Sequence, residues 1–328
     1  MSLGWGIAAT GRIARQVGGI IAAEPGMHVA AVGSRSVERA GHLAGELGGR
    51  AHGAYADLVA DPAVQAVYVT TPHALHAEVV ELALAAGKPV LCEKPLTHTL
   101  AETERLVALA ADTGTFLMEA LWTRFNPLVQ QLVALVRAGE LGQIRSLSAA
   151  FGFVAAYDGS ARLWNPTLGG GALLDVGVYP VDLARQLLGE PMSVHACGGL
   201  APTGVDSDAG LLLGFAGGAR ALLEASLVHA PPAAAVVTGT AGRAVLGPAF
   251  HAPMSLVVEI DGQRVEHTQP DRCAGYRAEL REVARCVAEG RTQSDVAPLA
   301  DTVRTMRVLA EARRQLAAAG QASDRGRP

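Results

Sequence analysis

The rhythm of the first part of the chain constrains the fold more than any other feature. Apolar runs of strand length at residues 3–9, 28–33, 64–70, 89–92 and 115–118 alternate with helix-length runs at 13–23, 36–47, 75–86 and 100–113. Strands that alternate with helices of this length build a parallel sheet with helices on both faces. Ser36 stands where a helix N-cap belongs, and Gly48 and Gly49 stand where that helix must stop. The pattern predicts an α/β domain over residues 1–120.

Beyond residue 120 the rhythm changes. Helix patterns fall at 126–138, 171–188, 276–289 and 298–319, with short strands at 194–199, 209–215, 220–227, 234–240, 254–260 and 263–268. Turn dipeptides join several of these strands, and Asp261 followed by Gly262 is a hairpin signal. Residues 121–328 therefore read as an α+β domain on a largely antiparallel, open-faced sheet, with a polar tail from 321 expected to fray. Pro180 inside the second helix pattern calls for a kink or for a regular helix that starts close to it.

Ala9, Thr10, Gly11, Arg12, Ile13 and Ala14 directly follow the first strand and open a helix. They make a variant of GxGxxG/A with Ala in the first Gly position. Gly11 lets the backbone approach a pyrophosphate, and Ala14 lets the helix lie close to the strand. The N–H groups at the helix start then face the anion. The N-terminal domain is thus expected to be a Rossmann dinucleotide-binding domain. A reader of the ribose 2′-hydroxyl would be Asp or Glu after the second strand. The chain instead has Gly33, Ser34, Arg35 and Ser36, with Arg39 one turn on. A guanidinium and hydroxyls suit a 2′-phosphate, so NADP(H) is favoured and NAD(H) is the alternative.

Two further stretches carry chemistry. Glu93, Lys94 and Pro95 end the strand at 89–92, and the carboxyl ends of parallel strands are where such sheets hold ligands. In the glycine-rich block from Gly169 to Asp182, a helix would place Asp175, Tyr179 and Asp182 on one face. Two carboxylates and a phenol on an otherwise apolar helix are costly unless paired or functional.

Composition removes other classes. Half of the 328 residues are hydrophobic, enough for a large core, while 18% are charged and the net charge is −4. That balance argues against a nucleic-acid binder and gives no pull toward an anionic membrane. Aromatic residues make up 4%, against both a base-stacking surface and a β-sandwich. No apolar run reaches transmembrane length, and the beginning lacks the basic and apolar segments of a secretory leader. Cys92, Cys197, Cys273 and Cys286 are far apart, as in reduced cytoplasmic proteins, and no metal-ligand spacing occurs. His73, His98, His229 and His251 are scattered and read as surface or structural residues.

Taken together, the Ala9–Ala14 loop, Thr71, Pro72 and His76, the run 86–89, Cys92 to Pro95 and the Gly169–Asp182 block resemble the glucose–fructose oxidoreductase, inositol dehydrogenase and MocA (Gfo/Idh/MocA) family. The runs 116–125 and 170–179 are similar to its dihydrodiol dehydrogenase and NADP-dependent D-xylose dehydrogenase branch. The resemblance implies that Lys94 is the catalytic lysine, with Pro95 cis-bonded after it. Tyr179 would be the acid/base residue, where many members carry His, and Asp175 the acid beside the substrate. Thr71, Pro72 and His76 would line the nicotinamide half of the site, Glu93 its ribose, and Trp122 and Arg124 the junction between domains. The expected activity is hydride transfer to or from a sugar, cyclic polyol or trans-dihydrodiol. The alternatives are a keto-sugar reductase, including one for nucleotide-linked ketosugars, and a non-catalytic cofactor sensor. A homodimer through the C-terminal sheet is the expected assembly.

Overall fold

The structure is a computed structural model that describes residues 2–325. The chain divides into two compact units, Met1–Trp122 with Tyr276–Val303, and Thr123–Gly275 with Arg304–Pro328.

The first unit runs β1 (Leu3–Ala8), α1 (Arg12–Ala23), β2 (Met27–Gly33), α2 (Val37–Leu47), β3 (Arg50–His52), α3 (Tyr55–Ala60), β4 (Ala66–Val69), α4 (His76–Ala85), β5 (Val90–Glu93), α5 (Leu100–Thr113) and β6 (Leu117–Ala120). Its six strands are parallel in the order β3-β2-β1-β4-β5-β6. The order reverses between β1 and β4, so the loops after these two strands part and open a crevice. Trp5, Ile7, Val67, Tyr68 and Leu91 are fully buried. A sheet covered on both faces needs such continuous apolar runs. Ser36 caps α2 as expected, its hydroxyl accepting from the Arg39 N–H at 3.3 Å. The short elements β3 and α3 gave no readable period in the sequence.

The second unit contains α6 (Pro127–Arg137), β7 (Ile144–Gly152), α7 (Val178–Leu188), β8 (Ser193–Leu200), β9 (Asp206–Gly214), β10 (Arg220–Ser226), β11 (Ala235–Gly239), β12 (Gly242–Gly247), β13 (Ser255–Ile260) and β14 (Gln263–Thr268). Helices α8 (Ala274–Ala288) and α9 (Leu299–Arg325) complete the chain. The eight strands lie in the order β14-β13-β12-β11-β7-β10-β9-β8. Only β7 and β10 pair in parallel. Helix α7 packs on β7 and β10, where Leu147, Ala149, Ala221, Leu223 and Ala225 are buried. On the opposite face Leu212 and Leu222 are 44% and 50% exposed. The Asp261–Gly262 hairpin forms as read, with Ile260 opposite Gln263 and both turn residues at positive φ.

Three expectations change. The single boundary near 120 gives way to a crossing chain, because residues 276–303 belong to the first unit. Buried Glu24 accepts from Arg281 at 2.5 Å, the Leu117 N–H donates to Thr292 O at 3.2 Å, and Thr302 donates to Glu119 at 2.8 Å. The expected tail from 321 is helical as far as Arg325, where α9 ends after an alanine-rich run that favours helix; 326–328 lie outside the described residues. Strands β7 and β12 are additional. The Ser and Ala residues of β7 carry little strand propensity, and pairing on both edges supplies what they lack.

Candidate active site

On the first unit, the end of β1 forms the candidate phosphate cradle. Ala9 adopts φ +98°, the conformation that glycine takes easily, although it carries a Cβ. Its N–H donates to Gly33 O at 2.9 Å. Gly11 is the N-cap of α1 and contributes no side-chain cap, so the first N–H groups of the helix keep their outward direction. A Cβ at Gly11 would meet nothing within 4 Å, which leaves open space where an anion approaches. Ala14 is fully buried, and a Cβ on Gly18 would lie 2.5 Å from Leu47 Cδ1, so α1 sits tightly in the unit.

After β2, Ser34 is buried while Arg35 and Arg39 are exposed. Both guanidiniums lie near Tyr55, a residue the sequence reading did not single out. Burial raises its phenol above the ordinary value while Arg35 and Arg39 pull it down. The group therefore joins two cations and hydroxyls around the end of β2.

After β4, the Thr70 hydroxyl donates to Ala8 O at 2.8 Å and ties the two strand ends together. The Thr71 hydroxyl is buried and has no hydrogen-bond partner. A buried hydroxyl in that state awaits a polar ligand. Together with the cradle, it fits a dinucleotide. His76 is fully buried, with Nε2 2.8 Å from Thr71 O and Nδ1 3.0 Å from Pro95 O. Burial lowers its pKa to about 4, so the neutral ring braces the loops after β4 and β5 instead of projecting into open space.

At the end of β5, Lys94 is half-buried and its peptide bond to Pro95 is cis, as the resemblance implied. The Tyr68 hydroxyl donates to Glu93. Glu119 accepts the Leu96 N–H at 3.0 Å. Trp122 stacks on Tyr276, ring centroids 4.2 Å apart.

On the second unit, the residues around Tyr179 come from distant parts of the chain. A π turn over Leu173–Gly177 leads into α7, whose regular part begins two residues before Pro180. Single π turns recur at functional sites because they shift side chains out of α-helical phase. Asp175 lies in this turn and pairs with Arg162 at 2.9 Å. Tyr179 is 6% exposed. Phe151 meets it edge-on at 5.6 Å and stacks on His251 at 3.8 Å. His251, read from the sequence as surface or structural, thus belongs to the surroundings of Tyr179. Gly171, at φ +119°, must be glycine, because a Cβ there would lie 2.4 Å from Asp206 Oδ1. Asp206 in turn accepts the Leu173 N–H at 2.5 Å and anchors the turn.

Asp182 does not join Asp175 and Tyr179 as an open acid. It is buried against Arg124, whose Nε lies 3.0 Å from both carboxylate oxygens, and Gln186 donates to it at 2.7 Å. Arg124, expected at the cofactor, is 3% exposed and committed to this pair. Both helix carboxylates are therefore paired, as their burial requires. No group of His, Cys, Asp and Glu suited to a metal occurs among the described residues.

A Rossmann-type sheet with a lysine at the end of β5 makes up the first unit, and the second bears a buried tyrosine and acid; these are the parts of an NAD(P)-dependent oxidoreductase. The model of the oxidoreductase family with an NAD-binding Rossmann fold matches residues 3–121, and that of the GFO/IDH/MocA C-terminal domain matches residues 129–245. The chain belongs to the Gfo/Idh/MocA family and is a dehydrogenase or reductase. It is 36% identical to the trans-1,2-dihydrobenzene-1,2-diol dehydrogenase of Mus musculus, over 96% of this chain and 97% of that protein. It is similar to the aldose-aldose oxidoreductase from Caulobacter crescentus, solved with glycerol, at 28% identity and a TM-score of 0.88 over 98% of each chain. A 3-ketoreductase from Actinomadura kijaniata, solved with NADP and TDP-benzene, is 29% identical with a TM-score of 0.84 over 96% of this chain and 98% of that one.

Proposed function

We propose that this chain transfers hydride between NADP(H) and a carbon–oxygen centre of a sugar, a cyclic polyol or a trans-dihydrodiol. The observation that carries the reading is Lys94, half-buried directly after β5 of the parallel sheet, in a chain whose α7 bears Tyr179. Lys94 is one of only two lysines in the sequence, the other being Lys88. Everywhere else this chain uses Arg for positive charge, so the choice of a compact ammonium at 94 has a chemical reason.

The cofactor, when bound, supplies or accepts the hydride. The backbone from Ala9 to Ile13, with Thr10, Gly11 and Arg12, holds the pyrophosphate. Ser34, Arg35 and Arg39 hold the 2′-phosphate, and Arg35 and Arg39 are the basis of the preference for NADP over NAD. Thr71 and Pro72 border the nicotinamide and Glu93 faces the ribose, with His76 bracing both loops and Trp122 at the edge. Lys94 donates a hydrogen bond to the reacting oxygen, and Tyr179 moves the proton at that oxygen. Asp175, oriented by Arg162, accepts from a neighbouring substrate hydroxyl. Arg124 acts through Asp182 to hold α7.

The mouse relative's name supports a dihydrodiol or similar cyclic substrate. The likeness to the NADP-bound 3-ketoreductase favours a second reading, reduction of a keto-sugar. A panel of trans-dihydrodiols, aldoses, cyclic polyols and keto-sugars with NADP and NAD, followed by nicotinamide absorbance, separates the two. No turnover with any of them would overturn both. Arg35→Asp should weaken NADP and spare NAD; equal weakening removes the 2′-phosphate role.

We further place the enzyme in the cytoplasm, since its four cysteines are free thiols and two of them are buried. A second copy of the chain is the proposed partner of the open sheet face, where Leu212 and Leu222 are exposed. A monomer at micromolar concentration in sedimentation would refute the dimer.

A further inference from the structure

The π turn that leads into α7 is held from a distance. Its N-cap residue, Ala172, makes no side-chain cap, so the turn lacks the local Ser, Thr, Asp or Asn that usually closes a helix start. Asp206, at the start of β9 and 33 residues beyond Leu173, takes that place. One carboxylate oxygen accepts the Leu173 N–H at 2.5 Å, and the Ala172 N–H faces the same group. The other oxygen lies against Gly171, where a Cβ would come within 2.4 Å of it. Asp206 is buried, and Arg313 on α9 is the cation that faces it.

A local cap fixes only the end of its own helix, whereas a carboxylate on a strand ties the helix start to the sheet. Strand β9 is paired along its length with β8 and β10, so Asp206 stands on a rigid support. Hydrogen bonds to a carboxylate are shorter and about twice as strong as neutral ones, which suits an anchor. The segment it grips leads to both candidate residues of the second unit. Asp175 lies two residues beyond Leu173, and its N–H donates to Gly171 O at 3.1 Å. The Gly171 N–H donates to Leu163 O at 2.9 Å, directly after Arg162, the partner of Asp175. Tyr179 follows as the second residue of α7. At the other end of the turn, a Cβ on Gly177 would meet Leu173 Cδ2 at 3.1 Å and Ala225 Cβ of β10 at 3.3 Å.

We propose that Asp206 is a positioning residue for Asp175 and Tyr179: from β9 it holds the first N–H groups of the π turn and thereby sets where these two side chains stand. The inference deepens the proposed function and rests on it for the roles of Asp175 and Tyr179; its first test needs no turnover.

Hydrogen exchange of the cofactor-free protein, read by mass spectrometry, reports the anchor itself. In Asp206→Ala the segment 172–179 should exchange at least about tenfold faster, the equivalent of one hydrogen bond to a charged group. The strands of the first unit should keep parental rates. With a substrate in hand, Asp206→Ala should lower kcat about 10²-fold, the scale of a misplacement of about 1 Å. NADP affinity should stay within about twofold, because the proposed nucleotide contacts lie on the first unit. Asp206→Asn offers an oxygen to the same N–H groups and should return exchange and kcat to within about threefold of the parent. Asp206→Ser, too short to reach both Gly171 and Leu173, should repeat the Ala result and stands in for it if that variant does not fold. Parental exchange or parental kcat in the short variants, an Asn variant as impaired as they are, or a loss of NADP affinity equal to the loss of kcat would each overturn the proposal. Faster exchange in a protein that turns over none of the dihydrodiols, aldoses, polyols or keto-sugars refutes only the hydride-transfer reading.

Discussion

The two units position their candidate residues in opposite ways. In the first unit each candidate group follows its own strand: Ala9–Ile13 after β1, Ser34–Arg39 after β2, Thr71 and Pro72 after β4, and Glu93–Pro95 at β5. Parallel pairing alone brings these four loops to one edge. In the second unit Phe151 ends β7, Arg162 lies in a long loop, Asp175 and Tyr179 sit on the π turn and α7, and His251 lies between β12 and β13. There only tertiary packing gathers the residues. A strand-end site is written in local sequence, and a packed site is written in contacts between remote segments.

The largest expected effects test whether these halves divide binding from chemistry. Lys94→Ala and Tyr179→Phe should each lower kcat by about 10²- to 10⁴-fold, the usual contribution of a positioned proton-handling group. NADP affinity, measured by fluorescence titration, should hold within about threefold in Tyr179→Phe, because the proposed nucleotide contacts all lie on the first unit. A large loss of NADP affinity in that variant would break the division. Parental turnover in either would remove the residue from the chemistry.

That contrast also explains what could be read from the sequence. Strand–helix alternation gave the first sheet, and the loop around Gly11 was legible because its strand, turn and helix lie within a few residues; the role of Lys94 and the cis bond to Pro95 entered only through the family resemblance. Arg162, Phe151 and His251 were not, because nothing local distinguishes a loop arginine from its solvated counterparts. The destination of Arg124 was also hidden. Its partner Asp182 lies 58 residues away and becomes visible only once α7 is placed. The return of residues 276–303 to the first unit was hidden for the same reason, as it depends on contacts to Glu24, Leu117 and Glu119.

Ion pairs sharpen the comparison. The side chains of Arg124 and Asp182 are 4% and 3% exposed, whereas those of Arg15 and Glu46 on the first unit are 56% and 40% exposed. Removing one partner of a buried pair strands the other charge and costs about 3–5 kcal/mol. Asp182→Ala should therefore destabilise the protein by that amount in urea unfolding. Glu46→Ala should cost less than about 1 kcal/mol, because water screens an exposed pair. Similar losses from the two would show that the Arg124 pair is solvated in solution.

A smaller, pH-dependent effect belongs to the second unit. Burial pushes Asp206 up to about 6, although the Leu173 and Ala172 N–H groups and Arg313 pull it down. The folded protein then binds this proton more tightly than the unfolded chain does. The contribution of Asp206 to stability therefore falls as pH rises from about 4 to about 6, by an amount on the order of 3 kcal/mol at 1.36 kcal/mol per pH unit. Asp206→Asn keeps an oxygen for the Leu173 N–H and cannot ionise, so its stability relative to the parent should rise across that window. Urea midpoints taken at pH 4, 5, 6 and 7 give the slopes; parallel slopes would show that Asp206 titrates alike in both states.

The smallest effect returns to the first unit and its one departure from a glycine-rich loop. At φ +98° Ala9 occupies a region where a Cβ costs about 1–2 kcal/mol, and its N–H is held by Gly33 O. Glycine would relieve that strain but would give the unfolded chain more freedom, which takes back about 0.4–1 kcal/mol. Relief outweighs freedom, so Ala9→Gly should stabilise the protein by about 0.5–1 kcal/mol in urea unfolding, the difference of those two terms. The backbone contacts offered to a pyrophosphate stay the same, so NADP affinity should change by less than about twofold, under half a kcal/mol. A destabilised Ala9→Gly would mean that the loop holds alanine without strain and that the first half of the site tolerates its missing glycine by another route.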